Sequence, residues 1–99
     1  MATLYISEFV TIGGTGNFPV AGAFQPSITT QTVAIGATAL ASSAFNALTT
    51  FVRLHTDGIC SVAFGANPTA TTSSARLAAN QTEYFGVVPG QKVSVITNT

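Results

Sequence analysis

Between Thr50 and Phe64 the chain reads TFVRLHTDGICSVAF, two runs of β-forming residues on either side of Asp57-Gly58. In an extended strand alternate side chains point to opposite faces, so Val52, Leu54 and Thr56 share one face and Phe51, Arg53 and His55 the other. Asp-Gly suits a tight turn, because glycine tolerates positive φ and aspartate can hydrogen-bond its own backbone. The stretch is therefore expected to form a hairpin. A hairpin alone is marginal in water, so it has to pair with further strands.

Those strands can be read along the rest of the chain. TLYISEF (3–9) alternates Leu4, Ile6 and Glu8 against Tyr5 and Phe9. ITTQTVAI (28–35) alternates Ile28, Thr30 and Thr32 against Thr29, Gln31 and Val33, and threonine packs well on a pleated surface. Residues 37–48, ATALASSAFNAL, have the Ala and Leu content of a short helix. Thr38, Ser42, Ser43 and Asn46 nevertheless compete for backbone hydrogen bonds, which favours strand or irregular chain there. GANPTATTSSA after Phe64 reads as a loop, and Arg76-Leu77 begins a short strand. TEYFGVV (82–88) is a strand, Pro89-Gly90 fits the centre of a type II turn, and KVSVITN (92–98) closes the sheet. The expected fold is all-β: a single small β-sandwich or jelly-roll-like barrel of about six to eight short antiparallel strands.

Residues 1–99 form one domain, long enough to bury roughly two-thirds of the unfolded chain's surface. The exception to the strand pattern is 13–26, punctuated by Gly13, Gly14, Gly16, Pro19, Gly22 and Pro26. GGTGN resembles part of a phosphate-binding loop, but no helix N-terminus follows it, so it reads as a turn. Proline removes a ladder donor, which makes NFPVAGAF an edge strand, a loop or an extended arm. Phe18, Val20 and Phe24 are the large apolar residues of that segment. They either cap the core or pack on a neighbouring subunit, and they are the candidate interface residues.

Charge narrows the function. Only 6% of residues are charged, against about 25% in ordinary soluble domains, and Glu8, Asp57 and Glu83 balance Arg53, Arg76 and Lys92. Near-zero net charge favours association, and a hydroxyl- and amide-rich surface loses little when it is covered. Three scattered bases cannot neutralise a phosphate backbone, so nucleic acid is not an expected partner. No run of about 20 apolar residues is present to span a membrane. The N-terminal MATLYISEF lacks the basic and apolar regions of a secretory signal, which fits a soluble chain made in the cytoplasm. With 46% apolar residues, disorder is not expected.

The inventory for catalysis is short. His55 is the single imidazole and Cys60 the single thiol, and on adjacent strands they could be neighbours in a Cys-His pair. Cys60 would share a face with Val62 and Phe64, where a free cysteine acts as a small buried hydrophobe. One His, one Cys and three dispersed acids offer no metal-ligand spacing. Glu83 is expected opposite Arg53 or Arg76 as a surface pair, and not in a carboxylate pair for hydrolysis. No catalytic, cofactor or metal residue is assigned, and the chain reads as a non-enzyme.

TLYISEF, QTVAIG, TTFVRLHTDGICSVAFGANPTAT and RLAANQTEYFGVVPGQKVSVI, in that order, resemble small β-rich virion proteins of tailed bacteriophages. The match lies mostly after Ile28 and is weakest in 13–26. The resemblance implies a head decoration or cement protein in the virion, made in the host cytoplasm. Its partners would be itself, as a trimer or other small ring, and the major capsid protein. A tail, neck or head–tail joining subunit is the alternative. A carbohydrate-binding module is a third reading; such modules display Trp or Tyr platforms, and this chain has no Trp and only Tyr5 and Tyr84.

Overall fold

The computed structural model describes residues 2–10, 12–15, 18–23 and 28–99, with side chains outside 11–27. Among the described residues there is no helix. Two antiparallel sheets of four strands each make up the body. The first sheet runs in the order β4 (Thr29–Ala34), β1 (Thr3–Phe9), β6 (Phe51–Thr56), β9 (Thr82–Gly86). The second runs β5 (Leu40–Ala41), β10 (Lys92–Thr97), β7 (Cys60–Gly65), β8 (Ala75–Leu77). A separate two-stranded sheet joins β2 (Ile12–Thr15) to β3 (Phe18–Ala23), with Pro19 opposite Gly14.

The alternation predicted from the sequence sets the inward faces. Leu4, Ile6, Val33, Val52 and Leu54 from the first sheet and Cys60, Val62, Leu77, Val93 and Val95 from the second belong to one buried cluster. Phe64 and Phe85 close its flank, ring centroids 5.1 Å apart. Each buried Val or Leu contributes about 1.5–3 kcal/mol by leaving water, so this shared cluster is what holds the sheets together.

The expected hairpin at Asp57-Gly58 is overturned. β6 lies in the first sheet and β7 in the second, so the chain crosses between sheets there and the two strands do not pair. Positive φ among the described residues occurs only at Asn80 and Gly90, so Gly58 lacks the geometry a two-residue hairpin turn needs. Thr56 directs the crossing: its hydroxyl donates to the Gly58 carbonyl at 2.5 Å and accepts from the Gly58 amide at 3.3 Å. Gly58 is required for space, since a Cβ there would stand 2.8 Å from the Ala2 Cβ. Pro89-Gly90 does form the expected turn, with Gly90 at φ 83° and the Gln91 amide on the Val88 carbonyl at 3.2 Å. Residues 37–48 hold only the short β5, the remainder being irregular.

Candidate functional site

One end of the molecule gathers chain from three uncharged segments. β1 runs out at Phe9 and Val10, whose carbonyls accept the Thr50 amide (3.0 Å, to Phe9) and the Thr50 hydroxyl (to Val10). The Val87 amide donates to the Thr50 carbonyl at 2.9 Å, and Phe45 bridges to Gln91 and Gly90. These bonds bring 9–10, 45–50 and 87–91 together. No residue from Val10 to Val52, nor from Phe85 to Gln91, carries an ionisable side chain.

Glu8 organises this end from inside. It points inward with Leu4 and Ile6 and is 1% exposed. Its Oε1 accepts the Asn46 amide at 2.7 Å and the Thr49 hydroxyl at 2.8 Å, and its Oε2 accepts Gln31 Nε2 at 3.0 Å. Gln31 Oε1 in turn accepts the Ser43 amide at 2.9 Å. Carboxylate oxygens accept strong hydrogen bonds, and three of them compensate for lost water where no cation is in contact. Asn46 Oδ1 accepts the Leu48 amide at 2.9 Å, so the network shapes the loop that presents Leu48.

What this end presents is apolar. Val10 is 48%, Leu48 66% and Val88 57% exposed. Scattered exposed hydrophobics need no explanation, whereas these three stand on chain segments hydrogen-bonded together at an uncharged end. The segment after Val10 leads directly into β2 and β3, which join neither four-stranded sheet. Sequence reading missed Val10, Leu48 and Val88, because each belongs to a different segment and none stands in an alternating pattern. Of the three residues it proposed, Phe18 and Val20 lie on the backbone of β3, their side chains outside the described set, and Phe24 lies outside the described residues.

The chemical candidates separate. His55 is on the outward face of the first sheet, its Nδ1 at 2.8 Å from Thr82 Oγ1. Cys60 is in the core, with Sγ at 3.5 Å from Thr56 Oγ1. The two side chains stand on opposite faces, so they form no nucleophile–base pair. Burial pushes the Cys60 thiol up from its ordinary value, and the hydrogen bond to Thr56 offsets this only in part. The expected pairing of Glu83 with Arg53 is also corrected. Arg53 faces Tyr84 across the ladder, while Glu83 registers with Leu54 on the other face and accepts Gln81 Nε2 at 2.9 Å. The alternative partner, Arg76, is on β8 in the second sheet, opposite Ser61. No group of three or more His, Cys, Asp or Glu among the described residues is placed to hold a metal ion.

No family model matches the chain, and neither a curated protein nor a solved structure matches it.

Proposed function

We propose that the protein is a structural subunit of a tailed-bacteriophage virion, a capsid decoration or cement protein that packs on its own copies and on the major capsid protein. The observation that carries this reading is the uncharged end presenting Val10, Leu48 and Val88. A small symmetric ring of such subunits, a trimer among them, would bring several apolar ends onto one lattice at once. Avidity then replaces the need for one strong contact.

The finer architecture proposed is a jelly-roll sandwich. Its support is the pairing of β4 with β1, β5 with β10, β6 with β9 and β7 with β8, all antiparallel. That is the ladder of one long hairpin rolled into two sheets, with β1 in the place a final strand would take. Such a fold serves capsids and other roles alike, so the function rests on the surface and not on the fold.

The test pairs sedimentation of the purified protein with binding to capsids that lack it. Association and binding are expected for the native chain. Leu48→Asp with Val88→Asp should abolish both while leaving the β-sheet circular dichroism intact. A monomer at high concentration that ignores capsids would overturn the proposal. Copy number per virion separates the alternative: a number matching the capsid lattice marks a shell protein, a few copies a neck or tail subunit.

A further inference from the structure

The outward face of the first sheet has a different chemistry from the apolar end. Registers across β4, β1, β6 and β9 stack its outward side chains in rungs. Thr30, Ser7, Arg53 and Tyr84 form one, and Thr32, Tyr5, His55 and Thr82 the next. Over this face lies an open groove of about 580 Å³, which Asp57 also lines.

The lining differs from an ordinary protein contact. Ser7, Thr30 and Thr32 supply hydroxyls that donate and accept. Tyr5, 44% exposed, supplies an aromatic ring tilted against that of His55 with centroids 6.3 Å apart, while Tyr84, 51% exposed, stands on the same sheet face outside the groove's lining. Arg53 sits between these aromatic positions, half-buried. Asp57 is the only acid lining the groove, while Glu8 and Glu83 direct their carboxylates to amides and hydroxyls elsewhere. Thr82 anchors His55 through Nδ1, which fixes the ring.

We propose that this groove binds a carboxylate-bearing sugar. A guanidinium fork matches a carboxylate in two parallel hydrogen bonds, and an aromatic ring takes the apolar face of a pyranose. The hydroxyls and Asp57 take the ring hydroxyls. Tyr5 supplies that ring in the groove, and Tyr84 lies on the same face outside the lining. A subunit fixed to a particle by its apolar end could present this face to such sugars, but the inference stands on the groove itself and is tested on the isolated protein.

Backbone amide shifts in the NMR spectrum of the purified protein would be followed on titration with a galacturonate oligomer and with sialyllactose, two sources of the same carboxylate. Lactose and a glutamate-rich peptide serve as controls. Shifts confined to β1, β4, β6 and β9 are expected with one or both acidic sugars. Arg53→Gln should weaken them about tenfold or more and Arg53→Lys less, since lysine keeps charge and loses the fork. Tyr5→Ser should weaken them too, with the spectrum otherwise native. The inference is overturned by no shifts at millimolar acidic sugar, by equal affinity for lactose or the peptide, or by affinity indifferent to Arg53. None of these outcomes bears on capsid binding, so this inference and the virion reading fail separately.

Discussion

On the second sheet the outward side chains include the small Ser61 and Ala63 on β7 and Ser94 on β10, beside the larger Ile96 and Arg76 that register with Ser61. The loop 66–74 is tied down over the two serines. The Ala70 amide donates to Ser94 Oγ at 3.0 Å and Ala70 is buried; Asn98 Nδ2 joins Ser61 Oγ at 2.7 Å to the Thr72 carbonyl at 3.2 Å. On the first sheet the outward side chains include Tyr5, Arg53 and His55, and they line an open groove. The same alternation thus produces two unlike surfaces. Small hydroxyls let a sheet accept its own loop, and they satisfy that loop's backbone. Large amphipathic side chains keep a face open. Function is therefore sought on the first sheet and at the apolar end, and the second sheet's outer face is assigned to stability.

The inner side of the first sheet sets the scale against which both outer faces are judged. Glu8→Ala would strand the Asn46 amide and the Thr49 hydroxyl without an acceptor, and a loss of about 3 kcal/mol in urea unfolding is expected. On the covered face, Ser94→Val removes the acceptor of the Ala70 amide and should cost about 2 kcal/mol. A cost near zero would mean the loop is not held as described. On the open face, Tyr5→Ser and Arg53→Gln should each change stability by less than about 0.5 kcal/mol. Equal losses on the two faces would erase the contrast.

The smallest effect is silent at neutral pH. The Cys60 thiol ionises at higher pH in the folded protein than in the unfolded chain, because burial disfavours the thiolate. Its contribution to stability is therefore complete below the unfolded value and declines as pH rises beyond it. Cys60→Ala should flatten that alkaline decline, measured as midpoint against pH. In the native state the thiol should resist a disulfide reagent until denaturant is added.

Much of the architecture was legible because strand faces are local. Val52 with Leu54 and Val93 with Val95 recur at a spacing of two, and a period of two needs no knowledge of partners. Gly90 was equally plain, since its turn is determined by adjacent residues. What could not be read was which strands pair. Asp57-Gly58 carries the composition of a hairpin, yet the crossing there follows from Ala2 packing against Gly58 and from Thr56 capping the bend. Both depend on the tertiary fold. The apolar end was hidden for a similar reason, being assembled from Val10, Leu48 and Val88. The groove was hidden too, because Tyr5, Thr30 and Arg53 are far apart in the chain and share a face only through the pairing of β1 with β4 and β6.

The crossing at Gly58 also decides what the molecule can carry. The Ala2 carbonyl receives the Ile35 amide beside it, and the Asn98 amide reaches the Ile59 carbonyl at 3.1 Å. Residues 2 and 98 thus lie at one pole, separated from Val10 by the run of β1, about 27 Å at some 3.4 Å per residue. A label placed beside Ala2 or Asn98 would stand clear of Val10 at the opposite end of β1. Two such labels, side by side at this pole, would report on each other's distance without touching the opposite end.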